Sequence, residues 1–221
     1  MRKQMYKAMI LAGGYPEHEP CKVSVWMKHC LESEGYDVQI YYDCSCLDEV
    51  RQLIKYDIIC PLYSMGLMTK EQTYNLITAV SEYGVAIVGF HSTADGFRGN
   101  IKYHMLTGSQ FVDHPLGHIS EYKVITDPKL GMENFAVTTE LLFLLVSPAA
   151  EVLAYAEFEP SSHPYFARNE KPIKMPIVYR YKFGEGSVFY CSLGHNMEFI
   201  ESCPELSRIM RYGIQKTRSE D

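Results

Sequence analysis

Among its 221 residues the chain has no apolar run long enough to cross a bilayer, which takes about 20 consecutive apolar residues. The stretch Ala8-Met-Ile-Leu-Ala12, behind the basic start Met1-Arg-Lys-Gln-Met-Tyr-Lys7, stops at Gly13. That is too short for the apolar core of a secretory signal. An excess of positive charge is missing too. Twenty-one Lys and Arg face 27 Asp and Glu, a net charge of −6, and no nucleic-acid partner is expected. A cysteine framework is also lacking: seven is an odd number, and Cys44-Ser-Cys46 is too tight for the common zinc spacings. The expectation is reduced thiols in a cytoplasmic protein without membrane contact, several of them filling the core. There are no internal repeats and no low-complexity segment, so one domain over 1–221 is expected.

What is present is an alternation of strand and helix signals. Ala8 to Ala12 reads as a first parallel strand leaving through Gly13-Gly14. Val23, Trp26, Met27, Cys30 and Leu31 recur at helical spacing up to Gly35. Asp37–Tyr42 alternates as a strand, Leu47–Ile54 reads as a short helix, and Tyr56–Tyr63 as a strand with Pro61 tolerable only late in it. Thr69 opens a helix with Thr73, Leu76, Ile77 and Val80 on one face. Val85 to Phe90 then forms a nearly unbroken apolar run, as in a strand buried on both faces. This order predicts a parallel sheet with helices on both sides. After residue 118 the pattern changes. Ile119–Thr126, Glu151–Phe158 and Met175–Ser192 read as added antiparallel strands, the last with a hairpin turn at Phe183–Val188, before a final helix Pro204–Lys216. Residues 159–174 form the longest predicted loop, a candidate lid.

Three of the eight histidines, His18, His91 and His195, follow strand-like segments. If those strands are parallel neighbours, the imidazoles converge at one rim of the sheet, where ligands of open α/β folds bind. Acid–base or metal chemistry needs such convergence. His91 follows the central strand directly, and Ser92 beside it fits a helix N-cap better than a nucleophile. His114 and His118 fall in a loop. His104 falls in a helix and does not share the His-x-x-x-His zinc spacing with His114. No cysteine is expected at a strand end beside a histidine, which disfavours thiol catalysis. Asp95, Asp113, Glu140 and Glu198 supply carboxylates, and a divalent metal is left open as a cofactor.

Three segments carry a resemblance. Gly89-Phe-His91-Ser-Thr-Ala-Asp95-Gly-Phe97, Tyr103-His-Met-Leu-Thr-Gly108-Ser-Gln-Phe111-Val-Asp-His114 and Gly184-Glu-Gly186-Ser-Val-Phe-Tyr190-Cys-Ser-Leu-Gly-His195 resemble the ThuA-like, or trehalose-utilization, family, over Ala8 to about Ile214. The resemblance implies a class I glutamine amidotransferase-like fold: a flavodoxin-like three-layer sandwich, mainly parallel, with added antiparallel strands. His91 takes the place of the amidotransferase cysteine, so glutaminase activity is not expected. His195 resembles the amidotransferase histidine, and Glu198 could stand in for its acidic partner. The family's Asp-Glu-x-Tyr segment is Thr139-Glu140-Leu-Leu142 here, and a histidine often found before Pro-Ile is Met175.

Three functional expectations follow. The first is an enzyme, hydrolase or lyase, acting on a sugar or keto-sugar. His91 and His195 would transfer protons, with Glu198 or Glu140 orienting one of them. His18, Asp95, Phe97, Arg98 and His114 would bind substrate, with Asn100 on its hydroxyls and Tyr15, Tyr165 and Phe166 beside the sugar ring. The second is a non-catalytic module binding a small polar ligand in the same pocket. A homo-oligomer whose partner holds the function is a third and plainer alternative.

Overall fold

The computed structural model describes residues 5–159, 168 and 170–218. Eleven strands are present among the described residues: β1 (Tyr6–Gly13), β2 (Tyr36–Tyr41), β3 (Ile58–Tyr63), β4 (Ala86–Phe90), β5 (Ser109–Asp113), β6 (Ser120–Thr126), β7 (Phe135–Thr139), β8 (Phe143–Val146), β9 (Glu151–Phe158), β10 (Ile173–Phe183) and β11 (Gly186–Cys191). Nine of them form one sheet in the order β2-β1-β3-β4-β11-β10-β9-β6-β7, and β5 pairs with β8 separately. Strands β2, β1, β3, β4 and β11 are mutually parallel, while β10, β9, β6 and β7 extend the sheet in antiparallel fashion. The expected mainly parallel sandwich with added antiparallel strands is what the chain forms.

The apolar pattern explains the layering. On β1, Ala8, Ile10 and Ala12 face one core while Met9 and Leu11 face the other, so the strand is buried on both sides. Helices α1 (Pro20–Ser33) and α6 (Pro204–Lys216) cover the first face. Helix α6 does so with Leu206, Ile209, Met210 and Ile214, all fully buried, each worth about 1.5–3 kcal/mol in transfer terms. Helices α2 (Val50–Leu53), α3 (Lys70–Ser81) and α4 (Ile101–Thr107) lie on the second face. Helix α3 starts with a capping box: Thr69 accepts from the Gln72 N–H while the Gln72 side chain accepts from the Thr69 N–H.

Three details differ from the sequence reading. The helix expected over Leu47–Ile54 is broken into a 3₁₀ turn, Cys44–Leu47, and the single turn α2, because Asp43 caps the Ser45 N–H and closes a tight turn first. Strands β5, β7 and β8 were not anticipated. They are four or five residues long and gain stability only from pairing across the sheet. Pro61 sits within a central strand, and the β3–β4 ladder ends at Ile59/Ile87, before it is reached. The Thr93 hydroxyl instead donates to the Pro61 carbonyl at 2.7 Å. The two strands thus part at their carboxyl ends and open a crevice. Among the described residues no helix is long and apolar enough to cross a membrane. Most of the expected lid over 159–174, including Tyr165 and Phe166, lies outside the described residues.

Candidate functional site

The histidines do converge. His18 closes a 3₁₀ turn (Pro16–His18) after β1, His91 follows β4 directly, and His195 follows β11 in the turn before helix α5 (Met197–Ser202). The His18 and His91 rings lie 5.0 Å apart, His18 and His195 5.4 Å, and His91 and His195 6.0 Å, all edge to face. Between them stands the carboxylate of Glu140, in the turn joining β7 to β8. Glu140 is only 3% exposed. Its Oε2 lies 3.2 Å from His91 Nε2, and its Oε1 lies 3.1 Å from His195 Nδ1 and 3.3 Å from His118 Nδ1.

Local structure holds each group in place. His91 sits at φ +30°, on the left-handed side that costs a β-carbon-bearing residue energy and is found at sharp strand-to-helix turns. Its Nδ1 donates to the Ser192 carbonyl at 2.9 Å, and its own carbonyl accepts from the Tyr190 hydroxyl at 2.9 Å. His18 Nδ1 is 3.1 Å from the Ser64 hydroxyl, which itself accepts from the Tyr15 N–H. Thr139 donates to the Gly194 carbonyl at 2.6 Å, tying the His195 turn to the Glu140 turn. Tyr122 donates to the Glu140 carbonyl.

The electrostatics follow from burial and proximity. Burial would raise the Glu140 carboxyl, but the neighbouring His195 and His91 rings prevail and hold it well below the usual carboxylate range. His18 is pushed down to about 3 by burial first and by neighbouring His91 second, so it is neutral. His114 is lowered by burial. His195 is raised, because the Glu140 carboxylate outweighs its burial.

One contact carries the most information. His91 Nδ1 is committed as a donor to Ser192, so the neutral ring turns the lone pair of Nε2 toward a carboxylate oxygen 3.2 Å away. Two electron pairs facing each other repel unless a positive charge stands between them, a proton or a metal ion. His195 Nδ1 shows the same feature: it is buried, lies 3.1 Å from Glu140 Oε1, and has no aligned hydrogen bond. One ligand atom from each of His18, His91, His195 and Glu140 can be chosen so that all four lie within 4.8 Å of one another. Three imidazoles and a carboxylate suit a divalent transition metal.

A cavity of about 220 Å³ opens beside these groups, lined by Tyr15, Met65, Ser92, Asp95, Arg98, Phe111, His114 and Leu142 along with His18, His91, His118 and Glu140. Wider, more open depressions lie elsewhere, but it is here that the imidazoles meet. Of the residues expected from sequence, His18, His91, His195, Glu140, Asp95, Arg98 and His114 are brought together. Arg98 is ion-paired with Asp95.

Several expectations are corrected. Glu198 is exposed in the first turn of α5 and lines a groove against α1, so Glu140, not Glu198, is the acidic partner of His195. Phe97 is 1% exposed, stacks on Tyr63 and is packed in the core, so it is no platform for a sugar. Asn100 caps α4 by accepting from the Tyr103 N–H and donates to Thr73. Ser92 caps nothing. Thr93 accepts from the Phe90 N–H, and Ser92 faces the cavity. Cys191 does end β11, but burial pushes its fully enclosed thiol upward, away from nucleophile chemistry. His118 is a functional candidate that sequence reasoning left out. The signal was there, as His114-Pro-Leu-Gly-His118 has the spacing sought elsewhere.

The family model for trehalose utilisation, ThuA, matches residues 7–215. The chain belongs to the ThuA family. A ThuA-like protein from Bacteroides uniformis ATCC 8492 superposes with a TM-score of 0.74 at 18% identity, covering 100% of this chain and 95% of that one. A second, from Parabacteroides merdae ATCC 43184, gives 0.77 at 14% identity, covering 98% and 91%. The glutaminase domain of Trypanosoma brucei CTPS is more distant, with a TM-score of 0.51 at 10% identity over 97% and 95% of the chains. No curated protein matches the chain significantly. This ThuA family member therefore has a class I glutamine amidotransferase-like fold.

Proposed function

We propose that this chain is a metal-dependent enzyme acting on a sugar derivative, with His18, His91, His195 and Glu140 holding one divalent cation. The observation that carries the reading is the His91 Nε2–Glu140 Oε2 contact at 3.2 Å, with Nδ1 already spent on Ser192. A proton shuttle needs a nitrogen that substrate can reach, whereas His91 is 2% exposed, with Nδ1 spent on Ser192 and Nε2 facing Glu140. Holding a cation is the role that fits it. A cation so placed polarises a substrate carbonyl or hydroxyl and makes a bound water acidic enough to act near neutral pH.

The substrate class is supported by the family's description, trehalose utilisation, and by the cavity's make-up. Tyr15 and Phe111 offer apolar faces, and Asp95, Arg98 and His114 offer donors and acceptors for hydroxyls. At about 220 Å³ the space is below the common range for ligand sites, about 300 Å³ and up. It suits one sugar ring rather than a chain. Cys60 and Cys191 serve as core filling, which agrees with a reducing, cytoplasmic setting.

The test is a screen of sugars and keto-sugars for turnover by the full chain, with and without chelator. Turnover lost with chelator, restored by a divalent metal and abolished in His91→Ala supports the reading. Ligand-induced stabilisation without turnover, in any metal state, would point to a binding module instead.

A further inference from the structure

The cation proposed above occupies one side of Glu140, and the other side is furnished as well. We infer that the Glu140 carboxylate bridges two divalent cations, the second held by His114 and His118. This rests on the single-metal reading and goes beyond it. Glu140 Oε2 lies 3.2 Å from His91 Nε2, while Oε1 borders both groups of imidazoles, 3.1 Å from His195 Nδ1 and 3.3 Å from His118 Nδ1. A carboxylate presented in this way can ligate one ion with each oxygen.

His114 supplies the second part of the argument. Its Nδ1 is buried and has no hydrogen-bond partner, an unfavourable state for a ring nitrogen unless something occupies it. That unpartnered nitrogen faces the site, whose cavity His114 lines together with His118 and Glu140. One ligand atom from each of His114, His118 and Glu140 can be chosen so that all lie within 4.8 Å. The two rings are 5.1 Å apart. Gly117, at φ +84°, makes the return between them and donates its N–H to the His114 carbonyl.

The two positions differ in character. The first has four protein ligands around an enclosed carboxylate. The second has two imidazoles and a shared oxygen, and the His118 side chain is 82% exposed. An ion there keeps open coordination positions toward the cavity, as a catalytic site does. Paired cations about 3.5–4 Å apart can clamp two oxygens of one substrate. The ligand class for the pair is a sugar derivative with oxygens on neighbouring carbons, such as a carbonyl beside a hydroxyl.

The experiment titrates metal-free full-length protein with zinc and counts equivalents by calorimetry, for the wild type, His118→Ala and His91→Ala. The count for the second position is the difference between wild type and His118→Ala, so ions on surface thiols cancel. His118 is exposed, so its loss leaves the fold intact, which the melting temperature checks. The expected result is one equivalent fewer in His118→Ala, that equivalent being at least tenfold weaker than the one lost in His91→Ala. Equal counts in wild type and His118→Ala, with an equivalent lost in His91→Ala, would overturn the bridged pair and leave the single centre standing. Equal counts in all three proteins would overturn both.

Discussion

Substituting Gly194 by alanine tests the claim that the His195 turn and the His91 turn are fitted to each other. A β-carbon at Gly194 would stand 2.7 Å from His91 Cβ and 2.7 Å from Phe90 Cζ, well inside the ~3.5–4 Å of ordinary carbon contact. Neither atom can move freely, since His91 is held by Ser192 and Tyr190 and Phe90 lies in the core. The turn must therefore shift, against the Thr139 hydrogen bond to the Gly194 carbonyl. Overpacking of this kind costs about 1–3 kcal/mol. For a domain of this size that lowers the melting temperature by about 2–12 °C. The same shift separates His195 from Glu140, so zinc affinity should fall by ~10-fold or more, the scale seen when a ligand's support is lost. Calorimetric melting and zinc competition against a chromophoric chelator read the two effects. Gly99→Ala, where nothing lies within 4 Å of the added carbon, serves as control. Wild-type melting and wild-type affinity in Gly194→Ala would refute the reasoning.

Two further outcomes follow from the charges. In metal-free protein the folded-state pKa of His18 is depressed to about 3, so between its unfolded value near 6.5 and that value only the unfolded chain binds the proton. Stability should thus fall by a few kcal/mol, at ~1.4 kcal/mol per unit, as pH drops through this window. Urea unfolding from pH 7 to 4 should show a shallower loss in His18→Gln; an identical slope would contradict the burial argument. In Glu140→Gln the main influence raising His195 is removed, leaving burial opposed only by the weaker pull of Glu17 and Glu19. The His195 ring protons, followed by NMR, should titrate at lower pH than in the wild type. An unchanged titration would show that Glu140 does not govern His195.

The parallel half of the molecule was legible because its signals are local. Val85 to Phe90 is apolar throughout, α6 keeps its inward residues at helical spacing, and the bounds of β9 and α6 came out of the residues alone. The three imidazoles at one rim were readable for the same reason: once strands are parallel, residues after their ends share an edge. The acidic partner was legible only as a choice between Glu198 and Glu140. Glu198 is near His195 in sequence, but the first turn of α5 carries it outward. Glu140 arrives 55 positions earlier, on a turn between two short strands whose placement depends on sheet pairing. A hint was present, since Glu140 is the sole charge within Val137-Thr-Thr-Glu-Leu-Leu-Phe-Leu-Leu-Val146, and a buried lone carboxylate needs partners. Phe97 misled in the opposite way. It sits beside Arg98 at the cavity in sequence, yet its positive φ of 49° turns the chain so that the ring joins Tyr63 and Tyr103 in the core.

The metal centre itself is tested most directly by anomalous diffraction at the zinc edge, on crystals of the full chain loaded with one equivalent of zinc. The account predicts one strong peak about 2.0–2.2 Å from His18, His91, His195 and Glu140. A peak on Cys44 and Cys46, with the three imidazoles and Glu140 in direct contact and nothing between them, would contradict it.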